Sequence, residues 1–399
     1  MALSAVLPFC CFCRRVMKFI RIVWLLAWCL GFFSLSKGWA EEIKGLWVVK
    51  DALYSPAGIT RMITSAVENG FNTILVQVRA RGDSYYRSNV VPKGEAIGGA
   101  PGEFDPLYLV VEQGHRAGLQ VHAWINLYIV WSSPRPPGSK DHIFYQHPDW
   151  FVTADSVQNV FASEDIEGIY LSPALPGVRQ HLLEVVREIV DKYEVDGIHL
   201  DYVRYPGIRL DYNLAARTCF MQEYGVDPLS ITRSSGRINK FFGTTGIADL
   251  SRKWSQWRAE QVTALVRSIH ELITQRHEGM KLSAAVKPDI YEAYYRYGQD
   301  WVRWANEGII DFVIPMAYSN DTKLVVRQIR RALEAVGPER LYAGIGTYNQ
   351  PLSETIKQIG LIRTLGTKGF FLFSYNSLQE DRESFERLRQ HLSDGDPAD

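Results

Sequence analysis

The chain has 399 residues with 44 basic against 44 acidic side chains, so no long-range field draws it towards nucleic acid or an acidic surface. Hydrophobic residues at 46% and charged residues at 22% exclude a disordered, collagenous or polytopic membrane chain. The length admits either two or three average domains or one α/β barrel.

The N-terminal segment reads as a leader. Arg14, Arg15, Lys18 and Arg21 precede an apolar run over residues 22–33, followed by Gly38-Trp39-Ala40 with small residues where a signal peptidase reads. Residues 1–40 are therefore expected to be a secretory signal, with the mature chain starting at Glu41; Met17-Lys18 offers an alternative start. The run is shorter than the roughly 20 residues of a membrane span, so no stable span is expected once the signal is removed. Cys29 follows bulky Trp28, which disfavours lipid attachment. Four cysteines, Cys10, Cys11, Cys13 and Cys29, lie in this segment and only Cys219 lies beyond it. The body can form neither an internal disulfide nor a multi-cysteine zinc site.

From residue 45 onward, short β-branched or aromatic runs alternate with helical patterns. Strands are predicted over 45–49, 73–79, 120–128, 196–201, 281–286, 312–318, 341–348 and 369–375. Helices are predicted over 60–68, 106–116, 178–193, 251–275, 300–306, 324–336, 354–365 and 383–392. Eight β-then-α units predict a single (β/α)8 TIM barrel over 41–399, because each right-handed crossover sets the next strand beside the last. No Gly-rich phosphate turn follows any strand, which argues against a doubly wound dinucleotide fold and predicts no cofactor. Two connections after strands are long. Residues 131–177 carry Trp131, Phe144, Tyr145, Trp150, Phe151 and Tyr170, and residues 207–250 carry Tyr212, Phe220, Tyr224, Phe241 and Phe242. They are expected to wall a cleft at the C-terminal strand ends, with about half of the rings packing the loops on themselves.

Candidate chemistry follows from the two-residue period of a strand. In Asp196-Gly197-Ile198-His199-Leu200-Asp201, apolar Ile198 and Leu200 face the helices, which sends His199 and Asp201 into the lumen and sets Asp201 at the mouth. Asp201 is the first candidate catalytic acid, an Asp that caps the next loop or pairs with Arg204 being the competing reading; His199 beneath it reads either as an orienting group or as a satisfied core histidine, and Arg204 is a candidate substrate-binding residue. The second strand sends Gln77, Arg79 and Arg81 inward; the arginines are expected to hold a carboxylate ionised or to bind substrate oxygens. Asp83 is the second candidate acid, a turn-forming Asp after Gly82 being the competing reading. His122, Trp124, Asn126 and Tyr128 share one face of the third strand, polar and aromatic where a structural layer needs only aliphatic residues. Tyr318, Tyr348, Tyr375 and Asn376 end the last three strands and favour a neutral, hydroxylated ligand. Lys287 and Asp289 end the fifth strand, where helix entry is a sufficient reason for Asp289.

These pieces together resemble the glycosyl-hydrolase-like family ten. The resemblance is carried by Gly45-Leu46-Trp47-Val48, Gln77-Val78-Arg79-Ala80-Arg81-Gly82-Asp83-Ser84-Tyr85-Tyr86, Phe104-Asp105-Pro106-Leu107, His122-Ala123-Trp124-Ile125-Asn126, His147-Pro148-Asp149-Trp150, Leu171-Ser172-Pro173-Ala174 and Asp196-Gly197-Ile198-His199-Leu200-Asp201-Tyr202. It implies a bacterial, often exported barrel with its active site around Asp201. One member looks like a periplasmic, division-site hydrolase of peptidoglycan strands stripped of peptides, and the resemblance implies that substrate class and a link to cell-division or cell-wall machinery. Many relatives carry two successive acidic residues at this strand end, whereas Tyr202 follows Asp201 here. The expected activity is hydrolysis of an amino-sugar polysaccharide by paired carboxyl groups. The rivals are a non-catalytic glycan-binding barrel and a metal-dependent hydrolase or deacetylase using His122, His199 and Asp201; the latter lacks the His-x-His strand motif of metal amidohydrolase barrels.

Overall fold

The structure, a computed structural model, describes residues 42–100, 102–155, 166–232, 236–379 and 382–393. The expected leader, residues 1–40, lies outside the described residues. Eight parallel strands form the central sheet: β1 (Ile43–Val48), β2 (Thr73–Arg79), β3 (Gln120–Asn126), β4 (Gly197–Asp201), β5 (Lys281–Val286), β6 (Phe312–Pro315), β7 (Ala343–Gly346) and β8 (Gly369–Phe373). Their order is β6-β5-β4-β3-β2-β1-β8-β7, and parallel bridges Val313 to Leu341 and Met316 to Gly344 join the two outer strands into a nearly closed barrel. The predicted alternation of eight strands and helices is borne out.

The helices that alternate with these strands are α1 (Pro56–Glu68), α2 (Pro106–Arg116), α3 (Pro176–Lys192), α4 (Gly236–Arg276, interrupted by the non-helical backbone of Gly243), α5 (Trp301–Asn306), α6 (Thr322–Val336), α7 (Leu352–Thr364) and α8 (Arg382–Ser393). Capping residues set several starts: Ser55 accepts from Gly58 N, Asp105 from Tyr108 N, and Asp321 from Lys323 N and Leu324 N. A proline follows the cap in α1 and α2, where its missing N–H costs nothing.

Period-two alternation sorts the strand residues as expected. Ile74, Val76, Ile198 and Leu200 join the core between sheet and helices, while Trp47, Leu75, Trp124, Phe312, Ile314 and Phe371 fill the lumen. The lumen is packed solid at its base. A Cβ on Gly197 would lie 2.4 Å from His122 Nδ1 and 2.7 Å from the Lys281 carbonyl, so the absent side chain is what lets the His122 ring fill this layer.

The two long connections after β3 and β4 are present. The first carries a two-stranded antiparallel sheet, Ile129–Trp131 with Ile169–Tyr170; the second carries the short helices Leu214–Tyr224 and Pro228–Thr232. Their rings largely pack on one another. Tyr212, Phe220, Trp254 and Trp257 build a separate small core, and Phe144 packs on Tyr145 and Phe151. Among the described residues no helix is long and apolar enough to cross a membrane.

Candidate active site

At the C-terminal strand ends a cleft of about 820 Å³ opens over Asp201. Strand β4 delivers this carboxyl as its alternation requires, buried at 8% exposure. Oδ2 accepts from Trp124 Nε1 at 3.2 Å and Oδ1 accepts from the Tyr202 backbone N–H at 2.6 Å. Tyr202 has φ 49, a left-handed conformation that costs a residue with a Cβ about 1–3 kcal/mol and clusters at functional sites. Burial pushes the Asp201 carboxyl up to about 6; the Tyr202 N–H and the Arg204 charge oppose that rise, and the Glu167 charge adds to it.

Glu167, from the connection after β3, also lines the cleft. Its Oε2 accepts from Arg204 Nη2 and from the Tyr170 hydroxyl, both at 2.6 Å, while Oε1 accepts no hydrogen bond among the described residues. Burial alone would raise its pKa. The Arg204 charge and the Tyr170 hydroxyl outweigh it and hold this carboxyl below the usual carboxylate range. Arg204 is 4% exposed and its guanidinium lies 4.9 Å from the Tyr202 ring centre and 5.2 Å from that of Tyr297. Burial works against its charge, but Tyr170 and Glu167 keep it above its ordinary value. Lys287, at the end of β5, also reaches the cleft; burial, then the like charge of Arg204, lowers its pKa. Of the three carboxyl groups among the described residues that line the cleft, Asp201, Glu167 and Glu292, the first two sit in environments that drive their protonation apart, the arrangement that assigns an acid and an ionised partner.

Strand ends supply the rings of the cleft: Trp47, Trp124, Tyr318, Tyr348 and Phe373, with Tyr202 just beyond β4. Tyr318 stacks on Phe373 at 5.4 Å and Trp47 meets both edge-on. None of the described rings that the sequence placed in the two long connections lines this cleft, which corrects the expectation that those loops would wall it. Tyr212, Phe220 and Tyr224 are taken up by the second loop's own core, Tyr170 joins the main core and Phe242 is exposed; the loops contribute Ile129, Ser132, Glu167, Tyr202 and Arg204 instead.

Of the sequence candidates, Asp201, Arg81, Trp124, Asn126, Arg204, Tyr318 and Tyr348 line the cleft. Seven others do not. Asp83 folds back on its own turn: Oδ1 accepts from Arg81 N at 2.8 Å and Ala80 N at 3.3 Å, and Oδ2 from the Tyr85 hydroxyl at 3.4 Å. Gly82, at φ 74, makes that turn possible. The turn reading therefore replaces the catalytic one. Asp83→Asn is expected to lower stability by about 1 kcal/mol and to leave the cleft over Asp201 unchanged, read from thermal melting of the variant beside wild type.

Arg79 leaves the lumen because the β2 register slips between Gln77 and Arg79, so that Arg79 pairs with Ile125 on the outward-facing side of β3. Fully buried, it donates to the carbonyls of Asn126 and Leu127. His199 does not orient Asp201. Its Nε2 accepts from Trp47 Nε1 at 3.1 Å, which places the proton on Nδ1 for donation to Ser283 Oγ at 2.9 Å; burial keeps the ring neutral. His122 fills the space above Gly197, its pKa lowered to about 4 by burial. Tyr128 and Tyr375 lie past the true ends of β3 and β8, so alternation no longer aims them inward; both are buried in the outer core. Asn376 Oδ1 accepts from Val49 N at 3.1 Å, tying two strand ends together. Among the described residues no three His, Cys, Asp or Glu side chains converge as a metal-ligand set.

Glu167 escaped the sequence reading because it sits in a long aperiodic connection, where no spacing aims a side chain. The nearest signal was an acid two residues before the apolar pair Ile169-Tyr170, at the end of the acidic stretch Glu164-Asp165-Ile166-Glu167, in a loop too long to be mere linkage.

The family model described as Glycosyl hydrolase-like 10 matches residues 42–358. The chain belongs to this family. Among the curated members of the glycosyl hydrolase-like 10 family, YngK of Bacillus subtilis (strain 168), "Glycosyl hydrolase YngK", is 26% identical over 65% of this chain and 48% of its own length. "Glycosyl hydrolase DigH" of Escherichia coli (strain K12) is 25% identical over 70% of this chain and 63% of its own length. The matched region thus spans about half to two thirds of these relatives. Among solved structures, the PgaB (BpsB) glycoside hydrolase domain from Bordetella bronchiseptica superposes with a TM-score of 0.68 at 16% identity, covering 88% of this chain and 99% of that one. That likeness shows the shared (β/α)8 barrel fold.

Proposed function

We propose that this glycosyl hydrolase-like 10 protein is an exported glycoside hydrolase that cleaves an amino-sugar polysaccharide, with peptidoglycan strands lacking peptides as substrate. The observation that carries the reading is the pair Asp201 and Glu167 in one cleft, one held protonated towards neutral pH by burial and the other held ionised by Arg204. Asp201 protonates the departing glycosidic oxygen; Glu167 attacks the anomeric carbon or activates water. Supporting the substrate, Arg81 and Lys287 enter the cleft with no salt-bridge partner among the described residues, and a muramyl strand without peptides bears one free carboxylate per disaccharide for them to meet.

Incubation of the purified protein with denuded strands tests this. Release of soluble saccharides by wild type, and none by Asp201→Asn, is expected. Binding without product in both proteins would make the barrel a glycan-binding module, and equal release from peptide-bearing strands would remove the substrate assignment.

A further inference from the structure

A second groove, about 630 Å³, lies beside the cleft along the helix Ile290–Tyr295. That one helix serves both sides. Glu292 lines the catalytic cleft, whereas Tyr291, Tyr294 and Tyr295, at the i, i+3, i+4 spacing of a common helical face, line the groove. Pro288, at the end of β5, lines both, so the two depressions meet there.

The tyrosine cluster is not core. Tyr291 is 70% exposed, and its ring lies 4.4 Å from that of Tyr295, which in turn meets Tyr294 edge-on at 4.9 Å. Buried Trp301 forms part of the floor, and Asp300, Arg331 and Glu334 bring charges of both signs to the lining. Flat rings with adjacent carboxylate and guanidinium groups suit pyranose rings, whose C–H faces stack while their hydroxyls bond the polar rim. The mixed charge does not suit a phosphodiester backbone or an anionic lipid surface.

We propose that this groove is a remote binding site for the same polysaccharide, holding sugar residues of a long strand that leaves the cleft over Pro288. The inference rests on the glycan reading above and extends it: the cleft selects the bond to be cut, and the tyrosine groove retains the strand.

The test measures binding in the catalytically silent Asp201→Asn protein, so that it is independent of turnover. Denuded peptidoglycan strands and a single soluble disaccharide fragment are compared on that protein with and without Tyr291→Ala and Tyr295→Ala. Long-strand affinity is expected to fall about tenfold when both rings are removed, disaccharide affinity is expected to hold, and Tyr291→Phe with Tyr295→Phe is expected to restore long-strand binding. Equal long-strand affinity in both proteins overturns the proposal and leaves the rings for a protein partner. An equal loss for strand and disaccharide also overturns it, since the substitution would then have disturbed the cleft. Tyrosine-dependent binding of long strands with no product from wild type keeps the groove and removes the hydrolase reading.

Discussion

Asp201→Asn is expected to lower the rate of glycan hydrolysis by a factor on the order of 10³ and, at the same time, to make the folded protein more stable at neutral pH. The two effects share one cause. Burial lifts the Asp201 carboxyl from its ordinary 3.8 to about 6, which keeps a proton available for the leaving group at the cost of burying a charge whenever that proton is lost. Below pH 4 the carboxyl is protonated in both folded and unfolded chains and no penalty exists. Between pH 4 and 6 the unfolded chain gives up its proton first, so stability falls as pH rises, and the loss is complete above pH 6. At about 1.4 kcal/mol per pH unit over about 2 units, it amounts to about 3 kcal/mol. Asparagine cannot ionise and escapes it. Melting temperatures of wild type and variant should therefore coincide near pH 4 and separate above pH 6, with the variant higher. The wild-type rate should decline on the alkaline side through about pH 6, as Asp201 loses its proton. An alkaline decline well above pH 8, or a variant melting lower than wild type at pH 8, would take the acid role away from Asp201.

Glu167→Gln is expected to abolish hydrolysis to a similar degree and to do the opposite to stability. Its Oε2 is the carboxylate partner of Arg204 at 2.6 Å, and Arg204 is almost wholly buried. Neutralising the glutamate strands a guanidinium that has already given up its water. Breaking a fully buried pair costs about 3–5 kcal/mol; Glu167 keeps 46% of its side chain exposed, so the pair is partly screened and a loss of about 2 kcal/mol is expected. The pH dependence has the matching sign. Arg204 and Tyr170 hold the Glu167 carboxyl below its usual range, so this pair's stability is present above the ordinary carboxylate pKa. It is lost as pH falls through the lowered folded value. Urea unfolding of the two variants at pH 7 provides the comparison. If both carboxylates were merely structural the two substitutions would shift stability without silencing the enzyme, and if Glu167 played no part in catalysis its variant would unfold earlier yet retain turnover.

Legibility in the sequence followed period. Wherever a strand ran regularly, alternation alone placed side chains: Asp201 at the mouth, Trp124 and Asn126 beside it, Ile198 and Leu200 against the helices. Errors began where the period broke. A one-residue slip after Gln77 turned Arg79 outward, and β3 and β8 stopped two residues early, carrying Tyr128 and Tyr375 into the outer core. Asp83 was equally readable as turn or acid, since a Gly-Asp pair has the same chemistry in both roles until its neighbours are known.

The eight strands, their helices and the placement of Asp201 at the mouth are thus properties of the amino-acid order itself, because they follow from local hydrogen bonding and one-dimensional hydrophobic patterning. The companion acid belongs to the tertiary structure alone. Glu167 and Arg204 are separated by 36 intervening residues and lie on different connections, so their pairing depends on how two aperiodic loops fold across the barrel mouth. Desolvation favours the protonated form of both carboxyls, and the Arg204 charge with the Tyr170 hydroxyl reverses it at Glu167 alone; both influences exist only once the chain has closed around them.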